Sequence, residues 1–213
     1  MNKSDVKVIS FEGCVGVGKT SLTKYFSNEL GLKKIIEEYE KNPFLEEYHN
    51  SMNVTLETEI TFLLIHYSQI KKTINQTDSN IILCDFSIEK NLVFAQMTLN
   101  KKQLSVFEKV YDHIISEIGY PNYSIFIDLS VDIIRERIAK RGRTFEINAD
   151  PKFFIEYNKR VRNHYLNQSK SKVYVINAND LILHPQNEKL AKIRDIIINI
   201  KEGKEKINLT TIP

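Results

Sequence analysis

The chain reads as α/β in class: a parallel sheet of five strands flanked by helices. Two observations predict this. Short apolar, β-branched runs alternate along the chain with longer segments of helical periodicity, the pattern of strands connected by crossover helices. The first strand, Val6 to Glu12, runs into a glycine-rich stretch and then a helix, Ser21 to Leu30, stopped by Gly31. One domain over the 213 residues is expected, with a loosely ordered polar tail over 202–213.

The glycine-rich stretch is Gly13-Cys14-Val15-Gly16-Val17-Gly18-Lys19-Thr20, followed by Ser21. It fits Gly, four free positions, then Gly-Lys-Thr, and the strand before it and helix after it are the context that pattern requires. Its glycines permit left-handed backbone angles, so N–H groups turn inward while the helix start adds partial positive charge. Such a cradle takes a polyphosphate. Lys19 is expected on the β- and γ-phosphates, and Thr20 places its hydroxyl on Mg²⁺.

The remaining elements follow in order. Lys33 to Tyr39 is a second strand ending in acids, and Asn42-Pro43 marks a turn before a helical stretch from Phe44. Leu56 to Lys72 is a stronger helix with Ile60, Leu63, Leu64, Tyr67 and Ile70 on one broad face. Glu59 and His66, seven apart, share a face of it. Asn75 to Asn80 is a polar loop. Ile81 to Cys84 is continuously apolar, as in a strand buried on both faces, and it ends at Asp85, which is placed either to serve the nucleotide's Mg²⁺ or to cap the next helix. Ser87 to Leu99 and Lys101 to Ile118 are helices; the apolar face from Leu104 to Ile118 is either core or a subunit interface. Tyr123 to Leu129 is a strand, Val131 to Lys140 a helix, Lys152 to Asn167 a helix, Lys172 to Asn177 the fifth strand and Asn187 to Lys201 the last helix.

Charge clusters at one place. Arg137 and Arg141 stand one helical turn apart, Gly142 breaks the helix, and Arg143 lies just beyond. Guanidiniums so close repel one another unless an anion neutralises them, and in a triphosphate-binding fold the transferring phosphoryl group is that anion. Elsewhere the balance is mild: the formal net charge of +3 argues for neither nucleic acid nor membrane as a partner. The start of the chain enters a strand at once, without an apolar signal core, and a cytoplasmic protein is expected. Cys14 and Cys84 are expected as free thiols.

These segments together resemble the deoxynucleoside kinase family, and most closely its bacterial deoxyguanosine kinase branch. The resemblance rests on Glu12 through Thr20, Asn42-Pro43-Phe44-Leu45, Asp85 through Ala95, and Arg137 through Glu146, and it covers nearly the whole chain. It implies a P-loop kinase fold with an arginine-rich lid, ATP as phosphate donor, Mg²⁺ held by Thr20 and Asp85, a nucleoside acceptor and a homodimer through long helices. Residue by residue, Glu37 matches the general base for the 5′-hydroxyl, with neighbouring Glu38 as the alternative. Tyr48 and Glu146 match positions that hold the sugar 3′-hydroxyl, and Arg137, Arg141 and Arg143 match the phosphate-clamping lid.

Glu59 stands where many members have a Gln on the base. An ionised Glu only accepts hydrogen bonds, and guanine offers two donors on one edge, so an ionised Glu59 leans towards deoxyguanosine. The chain also departs from the family. Asp85-Phe86-Ser87 lacks the Arg of the common acid-Arg-Ser motif, and Lys90 is the candidate replacement for its charge. His66 stands where a base-contacting Arg is common, which leaves the choice between guanine and adenine open. A nucleoside monophosphate kinase would need a further Arg near the third strand, which Asp85-Phe86-Ser87 does not provide. A non-catalytic nucleotide-binding module is opposed by the full set of Lys19, Thr20, Glu37 and lid arginines.

Overall fold

The computed structural model describes residues 6–51, 54–142, 151–204 and 211–212. Five parallel strands carry the architecture: β1 (Lys7–Glu12), β2 (Lys33–Ile35), β3 (Ile81–Cys84), β4 (Tyr123–Asp128) and β5 (Lys172–Asn177). A two-residue strand, β6 (Thr211–Ile212), adds to the edge beside β5, so the order is β2-β3-β1-β4-β5-β6. That edge pairing falls within the tail predicted to be loose. The chain lays β2 and β3 to one side of β1 and then crosses to β4 and β5 on the other. This reversal at β1 opens a crevice at the carboxyl ends of the strands, where ligands of such sheets bind.

Side-chain alternation divides the interior in two. Ile9, Phe11, Ile81 and Leu83 point to one face, under α1 (Lys19–Leu30), α7 (Pro151–Asn167) and α8 (Glu188–Lys201). Val8, Ile35, Ile82 and Cys84 point to the other, under α3 (Thr55–Gln76), α4 (Ile88–Thr98) and α5 (Lys101–Ile118). β3 is buried along its whole length, as its uninterrupted apolar run predicts. The two cysteines are buried free thiols that fall in different cores, Cys14 in the first and Cys84 in the second. α2 (Leu45–Ser51) and α6 (Val131–Arg141) complete the frame.

Two elements differ from the sequence reading, and a third decides between alternatives it left open. β2 stops at Ile35 rather than Tyr39, because the next backbone groups are taken by side chains instead of a ladder. Gln69 Nε2 donates to the Ile36 carbonyl at 2.8 Å, and the Glu37 N–H donates to Asp85 Oδ1 at 2.8 Å. Helix α3 extends to Gln76, so the predicted loop begins only at Thr77. Its apolar face is narrower than read: Leu63 and Ile70 are buried while Leu64 is 47% exposed. On α5, Phe107, Tyr111 and Ile114 are buried in the second core, which makes most of the Leu104 to Ile118 face interior.

Candidate active site

Loop 13–18 turns directly from β1 into α1. Gly18 caps that helix in a left-handed conformation. Lys19 Nζ reaches back over the loop and donates to the Gly13 carbonyl at 3.1 Å and the Cys14 carbonyl at 2.8 Å. One residue on, Thr20 Oγ1 donates to Asp85 Oδ2 at 2.5 Å. Because Asp85 Oδ1 takes the Glu37 N–H, this one carboxylate ties the first turn of α1 to the segment after β2. Asp85 does not cap α4; Ser87 does, accepting from the Lys90 N–H.

A cavity of about 680 Å³ opens beside the loop, lined by Val15 through Ser21 and by Glu37, Tyr48, Glu59, His66, Asp85, Lys90, Arg137 and Arg141. It therefore unites residues drawn from α1, α2, α3, α4, α6 and the ends of β2 and β3. Gly13 and Cys14 lie behind the lining, Cys14 fully buried. Arg143 and Glu146 lie outside the described residues.

Glu37 is the electrostatic centre. Its Oε1 lies 3.0 Å from His66 Nε2 and 3.4 Å from Lys90 Nζ, with the side chain 29% exposed towards the cavity. Burial alone would raise its pKa. The Lys90 charge, the His66 contact and the Lys19 charge outweigh burial and hold the carboxyl well below the usual carboxylate range. Glu38 points elsewhere and pairs with Lys41 at 2.8 Å. His66 is buried between partners: Nδ1 lies 2.8 Å from Asn91 Oδ1, and the ring stacks on Phe86 at 4.0 Å.

Two lysines in the same crevice titrate in opposite directions. Burial pushes Lys19 down, with Lys90 adding repulsion, to about 8. Lys90 is raised, because Glu37, Glu12 and Asp85 more than offset its burial. Glu12, at the end of β1, is fully buried with neither oxygen in hydrogen-bonding geometry, although Ser87 and Tyr165 lie beside it; desolvation raises its pKa against the pull of Lys90.

Glu59, also in the cavity lining, is 2% exposed, and burial pushes its carboxyl up to about 8, against the Thr98 hydroxyl and Lys90. Thr98 Oγ1 lies 3.1 Å from Glu59 Oε1. Tyr48 is buried nearby, and burial and Glu59 together raise its phenol. Over the loop, Arg137 Nη1 donates to the Val17 carbonyl at 3.0 Å and Nη2 to the Leu181 carbonyl at 3.4 Å. Arg141, one turn later, also lines the cavity.

Several residues in or behind the lining escaped sequence reading. Phe62, Phe94 and Tyr157 form apolar walls, and Asn91 and Thr98 hold the two buried titratable side chains of α3. Only Phe62 and Phe94 carried a signal, each within one helical turn of a predicted site residue (Glu59 and Lys90) and on the same side of its helix.

The loop's geometry sets a stability expectation. Gly13 has φ +137°, and a Cβ there would sit 2.8 Å from the Ile127 carbonyl oxygen. Gly31 also has positive φ, +64°, but a Cβ there meets nothing within 4 Å. Gly31→Ala is expected to cost about 1 kcal/mol, the left-handed penalty alone. Gly13→Ala is expected to cost at least twice that, roughly 2–3 kcal/mol, since the backbone must also shift. Thermal unfolding of the pair checks this; equal losses would mean the loop yields freely.

A parallel sheet, a phosphate loop at the carboxyl end of β1 and an acid poised across a deep crevice define a P-loop kinase fold. The comparisons with known proteins narrow the class. The family model for deoxynucleoside kinase matches residues 9–200, and the chain belongs to that family. It is 33% identical to a deoxyguanosine kinase of Bacillus subtilis over 141 residues, 65% of this chain and 68% of the relative. A deoxyadenosine/deoxycytidine kinase of the same organism is 26% identical over 93% of this chain and 95% of its own. Among solved structures, a Mycoplasma mycoides deoxyadenosine kinase with bound dCTP superposes with a TM-score of 0.75 at 20% identity, over 90% of this chain and 99% of that one; at that identity the likeness speaks for the fold. Among the described residues, no helix is long and apolar enough to cross a membrane.

Proposed function

We propose that this kinase phosphorylates the 5′-hydroxyl of a purine deoxynucleoside from ATP, and that deoxyguanosine is its preferred acceptor. The observation that carries the reading is the pair of carboxyls that share one cavity with the phosphate loop: Glu37, paired with His66 and Lys90, and the buried Glu59. Glu37 Oε accepts the 5′-hydroxyl proton as that oxygen attacks the γ-phosphorus. Its cationic neighbours keep it ionised, ready to accept. Lys19 binds the β- and γ-phosphates, and Arg137 and Arg141 neutralise charge on the transferring group, joined by Arg143 of the same basic segment.

Thr20 Oγ1 and the Asp85 carboxylate are adjacent hard oxygen donors and suit Mg²⁺. No cluster of three or more His, Cys, Asp or Glu side chains among the described residues could cage a metal by itself, which fits an ion completed by phosphate oxygens and water. When bound, Mg²⁺ supplies charge neutralisation between the phosphates. Lys90 stands in for the Arg absent from Asp85-Phe86-Ser87, and Tyr48 and Glu146 take the 3′-hydroxyl.

For the base, magnitudes favour guanine. Ionising Glu59 at pH 7 costs about 1 kcal/mol, given a carboxyl pushed up to about 8. Two hydrogen bonds from guanine N1–H and N2–H to a carboxylate are worth about 1.5–3 kcal/mol each. The B. subtilis relative that is 33% identical carries the deoxyguanosine kinase name, which supports the same choice. A homodimer belongs to the proposal: Leu64 on α3 and Val106 on α5 stand exposed on helices that pack together, and sedimentation velocity reads the mass.

The test is ATP-dependent phosphorylation across deoxyguanosine, deoxyadenosine, deoxycytidine, thymidine, guanosine and dTMP. Deoxyguanosine is expected to lead above pH 8, where Glu59 is mostly ionised, with dTMP inert. A dTMP preference overturns the acceptor class, and a pyrimidine preference overturns the base assignment.

A further inference from the structure

We propose that Glu59 is a proton-switched base reader: ionised it selects deoxyguanosine, protonated it selects deoxyadenosine, so the enzyme's purine preference follows pH. This rests on the nucleoside kinase reading above and deepens it.

The geometry is that of a carboxyl built to exist in either state. Glu59 is 2% exposed in the cavity lining, and among the described residues no cation is in bonding contact with it. Its hydrogen-bonding partner is Thr98, whose hydroxyl carries one hydrogen and faces two acceptors at equal distance: Glu59 Oε1 at 3.1 Å and the Phe94 carbonyl at 3.1 Å. When Glu59 is ionised, that hydrogen turns to the carboxylate. When Glu59 is protonated, its O–H donates to Thr98 Oγ1, and the Thr98 hydrogen turns to Phe94. Neither state leaves Glu59 Oε1 or Thr98 Oγ1 unpaired, so it is burial, not a lost hydrogen bond, that weighs against the ionised form.

The two states present different patterns to a base. A carboxylate offers only acceptors, which match the adjacent N1–H and N2–H donors of guanine. When adenine is bound, the proton sits on the base-facing oxygen instead and Thr98 again donates to Oε1, so the carboxylic acid offers an acceptor beside a donor, which match the N6–H and N1 of adenine, as a Gln would. Deoxyguanosine binding to the protonated enzyme expels the proton to solvent; deoxyadenosine binding retains it.

The groups facing Glu59 from its neighbours do not titrate with it. These are Tyr48 on α2, Lys90 on α4 and Tyr157 on α7, and all three have pKa values raised above their ordinary ones by burial or by neighbouring acids. The tyrosines stay neutral and Lys90 stays charged through the range in which Glu59 changes state. Lys19 does titrate nearby, at about 8, but it serves the phosphates and acts on both substrates alike. It cancels in a ratio of the two kcat/KM values, and so does Glu37.

The experiment is therefore that ratio, deoxyguanosine over deoxyadenosine, measured between roughly pH 6 and pH 8.5. It is expected to rise by about tenfold per pH unit, since one substrate uses the ionised fraction and the other the protonated fraction. Calorimetric titration in two buffers of different ionisation enthalpy gives a second readout that needs no variant. Deoxyguanosine binding at pH 7 is expected to release about one proton and deoxyadenosine binding none. Glu59→Gln fixes the donor-acceptor pattern: deoxyadenosine is expected to lead, with a pH-independent ratio. Thr98→Val removes the hydroxyl that favours the carboxylate and is expected to move the ratio towards deoxyadenosine at every pH. A flat wild-type ratio with no difference in proton release overturns the switch while leaving the kinase reading intact. Failure to phosphorylate either nucleoside at any pH takes down the switch together with the reading beneath it.

Discussion

Replacing Glu37 by Gln is expected to lower kcat by about 10²–10⁴-fold while leaving ATP affinity within a small factor of wild type. The amide has nearly the shape of the carboxylate, so the His66 and Lys90 side chains keep a polar partner. What is lost is the ability to take a proton. The hydrogen bond that joins Glu37 to the nucleotide cradle, its N–H to Asp85, is a backbone contact that the substitution retains. The informative comparison is therefore kcat for deoxynucleoside phosphorylation against ATP binding followed by calorimetry. Retention of wild-type kcat would remove Glu37 from the chemistry. Loss of ATP affinity in parallel with kcat would mean that the residue holds the site together rather than acting in it. Glu38→Gln is the control: Glu38 pairs with Lys41 at the surface and is expected to change little.

How much of this was legible in sequence depends on whether the determining contacts are local. The phosphate loop is a local object, since glycines, lysine and hydroxyl fall within eight consecutive residues, and the strand before it and the helix after it stand in the fold as the pattern requires. Strand β3 and helix α5 were legible for the same reason: an uninterrupted apolar run and a capped helical period each declare themselves. The end of β2 was not. Whether Ile36 and Glu37 continue a strand depends on Gln69 and Asp85, side chains more than thirty residues away in sequence, which take up the backbone groups that a ladder would use. The state of Glu59 was likewise hidden. Its carboxyl was read as ionised because nothing in the neighbouring sequence speaks of burial, and burial is what lifts it to about 8. Leu64 shows the opposite error: helical spacing put it on the apolar face, but it stands at the edge of that face and remains exposed.

Lys90→Met is expected to be the most destabilising change at the site, by about 3–5 kcal/mol, or roughly 10 °C in Tm for a chain of this size. The side chain is 14% exposed, Met matches its length, and the packing loss is small. The electrostatic loss is not, because Lys90 opposes two carboxyls at once: Glu37 at 3.4 Å and the fully buried Glu12, whose oxygens have no hydrogen-bonding partner. The pH dependence separates this cause from packing. In the wild type, Glu37 is depressed, so its stabilisation is present above the ordinary carboxylate pKa and fades only as pH falls through its lowered value. Lys90 is raised, so its share is full below the ordinary lysine pKa and is lost as pH rises from there through the raised value. Without Lys90, both Glu37 and Glu12 move up. A carboxyl whose folded pKa lies above its unfolded one binds more protons when folded, so its penalty grows as pH rises past about 4.5. The gap in stability between wild type and Lys90→Met is thus expected to widen from about pH 4.5 to pH 7 and to narrow again in Glu37→Gln/Lys90→Met, where one stranded charge is gone. Denaturant unfolding at the two pH values measures it. A gap that does not change with pH would assign the loss to packing and leave Lys90 without the anionic partners given to it.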